Sequence, residues 1–241
     1  MNRPNVVNCF SEALALIFKP GFRIFILAPI ALNIFIFLIL SYAALHYAQT
    51  AFSHFETSIP DWLVWIKWLL WPLLILIILI IYGYSFNLFT TIIAAPFLGL
   101  LAEKVEQSVT GIAPTDEPWI QLIPRTFKRE LIKLIYFIPR SLGIFLLVVL
   151  LILVPGANIV GGILGGLWSC WCLALQFCDY PADNHRISFE QVRTQLGQQK
   201  INTFAFGSIV LCGSMVPIIN IFITPLSVAA GTIFWLEQNK K

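Results

Sequence analysis

Four long stretches of this chain carry no aspartate, glutamate, lysine or arginine. They are residues 24–55, 68–102, 141–178 and 201–236, of 32, 35, 38 and 36 residues. A membrane-spanning helix needs about 20 apolar residues, so each stretch exceeds the requirement. The whole chain is 59% hydrophobic and 11% charged, against about 25% charged for a soluble domain. A soluble globular fold is excluded, and so is disorder, which needs low hydrophobicity and high charge. The net charge of +3 is too small to argue for a nucleic-acid partner. The chain reads as an integral membrane protein.

The four stretches differ in kind. The first holds Pro29 and Asn33 and then the aliphatic run 34–40. The second opens on Trp62, Trp65, Trp68 and Trp71, an interfacial belt by residue type. Leu73 to Ile81 then crosses, followed by Asn87, Thr90 and Thr91. The third and fourth each carry a proline near the middle, Pro155 and Pro217, inside a repeated Val-Pro-x-x-Asn-Ile pattern. Proline removes a backbone donor and clashes with the preceding turn. A break there leaves first arms of 14 and 16 residues, below spanning length. The expectation is an all-α integral membrane protein in one domain, 1–241. Transmembrane helices cover 24–55 and 66–102, an amphipathic basic helix covers 124–140, and partly penetrating helical hairpins cover 141–178 and 201–236. The alternative is two long kinked spans. Asn158 and Asn220, near the hairpin tips, are expected to cap the broken helix ends.

Basic residues support hairpins. Six lie within 103–140, three within 179–200 and two at the C-terminus, while the 56–67 loop has only Lys67. By the positive-inside rule this places both termini inside. The apolar stretch after Arg23 is too long for a cleavable leader and forms the first membrane helix. Arg125, Arg129, Lys133, Tyr136 and Arg140 fall within an arc of about 80° on a helix, opposite Phe127, Leu131, Leu134 and Ile138. That stripe either meets lipid phosphates or lines an aqueous vestibule.

No catalytic or metal-binding constellation stands out, so no enzyme activity, cofactor or metal is expected. The five cysteines read as small buried apolar side chains. Asp179 and Asp183 flank Tyr180-Pro181, which reads as a turn. Lys19-Pro20-Gly21-Phe22-Arg23 is the strongest chemical signal. A turn set by proline and glycine precedes a long helix, whose N-terminus presents unpaired N–H groups and a positive dipole end. Gly21 permits close approach of an anion to the backbone, and Arg23 adds a bidentate grip. The other reading of the two cations is headgroup anchoring. Glu103, at the end of an uncharged run, either pairs at the interface or holds a pore arginine such as Arg129. Asn33 and Asn87 face protein or water.

Several motifs, in order along nearly the whole chain, resemble the bacterial CysZ sulfate permeases within the wider etoposide-induced-protein-like membrane family. They are Lys19-Pro20-Gly21-Phe22-Arg23, Ile59-Pro60-Asp61-Trp62-Leu63 and Ala94-Ala95-Pro96-Phe97 with Gly99 to Glu103. Lys128-Arg129-Glu130, Pro139-Arg140, Cys178-Asp179-Tyr180-Pro181 with Asp183-Asn184-His185, and Lys200-Ile201 complete the set. Leu98 departs from the asparagine expected there.

The resemblance implies sulfate uptake across the bacterial inner membrane for cysteine synthesis. It also implies two long spanning helices with two partly penetrating hairpins, and homo-oligomers in the lipid bilayer, including an arrangement with antiparallel protomers. The sulfate contact it implies maps onto Gly21, Phe22 and Arg23. A polar path would involve Asn33, Asn87, Glu103 and Arg129. The alternative function is a non-transporting membrane protein that assists or regulates a separate anion transporter. Physics alone does not separate sulfate from phosphate at such a site.

Overall fold

The computed structural model describes residues 5–58, 67–112, 117–154 and 156–239. Trp62, Trp65, the 59–63 motif and Pro155 lie outside the described residues. Those described form eight helices and no strand: α1 Val6–Ile17, α2 Arg23–Ser58, α3 Lys67–Thr110, α4 Trp119–Ile152, α5 Asn158–Asn184, α6 Phe189–Gln198, α7 Lys200–Ser214 and α8 Pro217–Asn239. The protein is an all-α membrane protein.

The chain divides into two compact units. The smaller, residues 28–94, holds most of α2 and the first part of α3. Its helices meet through Ser41 and Tyr82, whose hydroxyls lie 2.9 Å apart. Phe37 packs edge-on against Tyr82 and Phe86. Most of the described aliphatic side chains here point outward: Leu38 and Ile81 are each 60% exposed. In water such a surface would be untenable; in hydrocarbon it is the normal outer face. With 36 and 44 residues, α2 and α3 extend about 54 and 66 Å, against about 30 Å of hydrocarbon.

The larger unit comprises residues 1–27 and 95–241, with α5 at its centre. α4 and α5 form one helical hairpin. Its tip is a turn in which Val154 N–H donates to Leu151 O and Ala157 N–H to Val154 O. Gly156 takes a φ of 82°, a left-handed conformation that suits glycine. α7 and α8 form the second hairpin, turning at Met215–Val216. Pro217 is the first residue of α8, where a missing N–H costs nothing. Asn158 is the first residue of α5, and its Oδ1 accepts from the Ile159 N–H at 3.0 Å. Asn220 lies inside the first turn of α8, its N–H donating to Val216 O.

Glycines set the closeness of these helices. A Cβ at Gly207 of α7 would collide with the Cys170 carbonyl of α5, and one at Gly231 of α8 would stand 2.7 Å from Phe177 O. Small residues let backbones approach where lipid supplies no hydrophobic drive between helices. Pro181 lies inside α5 and cannot donate to the carbonyl four residues earlier. That carbonyl is Phe177 O, the one Gly231 packs against. α1 lies along α8, the Phe10 ring packs tilted against Phe206 of α7 with centroids 5.0 Å apart, and α6 opens with a Ser188–Gln191 capping box.

Two sequence expectations change. The basic segment 124–140 is not a separate helix: α4 runs unbroken through Pro124 and Pro139 into the first arm. Helices in membranes tolerate interior prolines when packing and local adjustment satisfy the freed groups. The stretch around Pro181 is helix rather than turn. Leu98 is 3% exposed, so this departure from the family pattern is an apolar packing residue.

Candidate functional site: an exposed turn and a buried ion network

α1 ends at Ile17 and α2 begins at Arg23, so residues 18–22 form the link between them. Phe22 N–H donates to Lys19 O at 3.2 Å, closing the turn. Gly21 adopts a φ of 97°, with open space where a Cβ would sit. Phe22 is 5% exposed and so is buried, like Leu16 and Ile17 at the end of α1. Lys19 and Arg23 are exposed. Among the described residues, neither cation makes an ion pair. Nor does any acceptor meet the N–H groups of Gly21, Arg23 or Ile24. An open backbone, the positive end of a helix and two unanswered cations coincide at one exposed point. The Phe22 amide differs from expectation, since the turn itself uses it.

The basic stripe of α4 meets neither lipid phosphate nor a vestibule along most of its length. Arg125, Arg129 and Lys133 face α5, where Asp179 and Asp183, one turn apart, supply the counter-charges. Arg129 Nη2 lies 2.5 Å from Asp179 Oδ1, and Arg129 Nε donates to Asp179 Oδ2 at 3.0 Å. Lys133 Nζ lies 3.5 Å from the same carboxylate, pairs with Glu130, and sits 4.5 Å above the Tyr180 ring. Arg125 reaches Asp183 at 2.5 Å and Glu117 at 2.9 Å, and Glu117 also meets Arg186 at 3.5 Å. Four cations thus face four carboxylates. Arg129 is 8%, Lys133 1% and Asp179 0% exposed. The outer face of the same helix is apolar and open, with Ile135 73% and Ile138 58% exposed. α4 is inside-out relative to a soluble helix.

Arg129 therefore lies in a buried, charge-balanced contact with Asp179. Glu103 is half-buried on α3. Near it, Glu106 receives His185 Nε2 at 2.8 Å, and Asn184 donates to Gly99 O at 2.9 Å. Those two bonds tie the end of α3 to the end of α5. The side chains of Asn33 and Asn87 lie outside the described residues. Among the described residues, no three metal-ligating side chains gather.

Sequence reasoning missed the partnership of Asp179 and Asp183 with α4. The signal was present as two stripes of opposite sign, one stepping 125, 129, 133 and the other 179, 183. Each repeats every four residues, as facing helices require.

An α-helical protein with charges folded inward and aliphatic side chains outward is an integral membrane protein. Comparison with known proteins narrows the class. Residues 9–225 match the family described as "Sulfate transporter CysZ/Etoposide-induced protein 2.4". The sulfate transporter CysZ of Pseudomonas fluorescens strain Pf-5 is 43% identical over 234 residues, covering 94% of this chain and 91% of that protein. The Vibrio cholerae strain O395 sulfate transporter CysZ is 39% identical over 242 residues, covering 96% and 92%. The chain belongs to the sulfate transporter CysZ/etoposide-induced protein 2.4 family.

Proposed function

We propose that the protein takes up sulfate across the bacterial inner membrane by a channel-like route, supplying cysteine biosynthesis. The membership of this family over nearly the whole chain carries that reading. The exposed Lys19–Arg23 turn supports the place of capture. Arg23 grips the tetrahedral anion with two N–H groups, and the free amides of Gly21 and Arg23 donate to it. Phe22 contributes by anchoring the turn. Capture at an open turn is weak enough for release, as conduction requires.

The two hairpins penetrate partway and return to the same side. From Arg140 to the α4–α5 tip is 13 residues, about 20 Å. From Lys200 to Met215 is 15, about 22 Å. Both fall short of the roughly 30 Å core. Asn33, Asn87 and Glu103 belong to the polar path, and Arg129 supports it by holding α4 on α5. The bare aliphatic faces are covered by lipid and by further copies of the chain, including antiparallel ones, and the path is completed between subunits. The protein carries out no catalysis.

Purified protein in liposomes, with no other protein present, is expected to pass sulfate. Arg23→Ala is expected to lower sulfate binding and flux about tenfold, the loss of one charge-assisted bidentate contact, with unchanged folding. Absence of flux from the parent protein would point to the assisting role instead. Full binding in Arg23→Ala would remove the site assignment.

A further inference from the structure

We propose that a pocket between α4 and α6, separate from the Lys19–Arg23 turn, binds the phosphate of an anionic phospholipid, with the acyl chain laid along α4 toward the hairpin tip. The cavity measures about 480 Å³ and is bounded by Arg129, Ile132, Tyr136, Arg140, Phe189 and Arg193 among others. The Tyr136 ring is part of its lining. The Arg140 guanidinium lies 4.1 Å from that ring's centroid and the Arg193 guanidinium 5.3 Å. Two like charges are thus gathered on one aromatic ring, from two different helices.

Their counter-charge is incomplete. Arg193 meets Glu190 at 3.6 Å, and that carboxylate is 80% exposed. Arg140 spends one N–H on the Tyr136 carbonyl of its own helix, at 3.0 Å, and is not among the ion pairs of the described residues. Arg129, deeper in the pocket, is already answered by Asp179. One positive charge remains over, at a place where two guanidiniums can each present a planar pair of donors to phosphate oxygens.

The surroundings select a lipid rather than a free ion. On the Tyr136–Arg140 side of α4, the next turns toward the tip carry Gly143, Leu147 and Leu150. By helical rotation these lie within about 60° of one another. Gly143 has open space where a Cβ would stand; Leu147 is 42% and Leu150 61% exposed. An apolar lane therefore leads directly away from the cationic pocket. Trp168, which donates to Ser141 Oγ at 2.9 Å, sits near Tyr136 at 6.4 Å. Tryptophan and tyrosine at this level mark the headgroup region. A soluble anion would satisfy the arginines and leave the lane bare.

The test uses the full chain in neutral detergent, titrated with phosphatidylglycerol, phosphatidylcholine or sodium sulfate while thermal unfolding is followed. Phosphatidylglycerol is expected to raise the midpoint, and the other two at equal concentration are not. Arg193→Gln should weaken the apparent phosphatidylglycerol affinity about fivefold, the typical worth of one basic residue at an anionic surface. Arg140→Gln/Arg193→Gln should weaken it by tenfold or more. Glu190→Gln, which frees Arg193, should strengthen it, and this gain cannot arise from poor folding. The proposal is overturned by protection unchanged in the double variant. It is equally overturned by protection that sulfate reproduces, or by no protection because a second copy covers the pocket.

Discussion

Asp179→Asn tests the ion network most directly. The substitution keeps shape and removes one negative charge from a group of four cations and four carboxylates. Asp179 is fully buried and touches both Arg129 and Lys133. At an effective dielectric of about 20, a pair 3.5–4 Å apart is worth about 4 kcal/mol. Part of this is offset because the asparagine needs less desolvation than the aspartate. Breaking a buried pair by removing one partner costs about 3–5 kcal/mol, since the remaining charge is left in a dry site. For a chain of this size that is a fall of about 10 °C in the unfolding midpoint. Arg129→Gln alone is expected to cost a similar amount. Asp179→Asn with Arg129→Gln restores neutrality and should cost clearly less than the two single changes together. The measurement is the detergent-phase unfolding midpoint of the four proteins, read as a double-mutant cycle. An Asp179→Asn midpoint equal to the parent's, or strict additivity of the two changes, would refute the claim that these charges hold α4 on α5.

Three further outcomes are expected. Gly207→Val should abolish the folded peak in size-exclusion chromatography, because its side chain collides with the Cys170 carbonyl; Gly143→Ala, with open space around it, should elute normally. Burial, then Glu237, push the Cys9 thiol up from 9.0 to about 12, so it should resist maleimide at pH 7 and react once the protein is denatured. The same shift makes the folded state hold this proton more tightly than the unfolded one. Its contribution to stability is intact below pH 9 and is lost as pH rises toward 12, which a Cys9→Ala variant should not show. Val154→Cys and Val216→Cys, at the two hairpin tips, should be labelled by an impermeant maleimide from neither face in liposomes; labelling from the side opposite the termini would make the hairpins full crossings.

What was legible in the sequence was what is local. The turn before α8 follows from Pro217 of the Val-Pro-x-x-Asn-Ile repeat, because a proline acts on its own helix turn whatever lies around it. The Lys19–Arg23 turn is legible for the same reason: a glycine with positive φ and a helix start need only neighbours in sequence. Pro124, Pro139 and Pro181 failed as boundary signals because tertiary packing overrode them. The Phe177 carbonyl left without its donor by Pro181 lies against Gly231, 54 positions away. The pairing of Arg129 with Asp179 likewise spans 50 positions. Periodicity shows that each stripe exists, but not that one faces the other. A basic stripe on an isolated helix looks destined for solvent or phosphate, and only the presence of α5 turns it inward.

That inversion bears on where the larger unit sits in the bilayer. The network level of α4, residues 125–133, is flanked on its outer face by Phe127 and Leu131, 47% and 42% exposed. Charges alone would hold this level in water, and those aliphatic and aromatic faces alone would draw it into lipid. Pairing every inward cation with a carboxylate removes most of the first pull, because a balanced, hydrogen-bonded group needs far less hydration than a lone ion. On the proposed topology the partly penetrating hairpins then stand on a base that itself reaches the headgroup–acyl boundary. The tips at residues 153–157 start 20 residues beyond Lys133, about 30 Å along the helix. If the base lay in the middle of the hydrocarbon, those tips would emerge on the far side. On the proposed topology the base therefore sits on the near side, about 10 Å out from Arg140, which stands at headgroup height with the tips about 20 Å deeper.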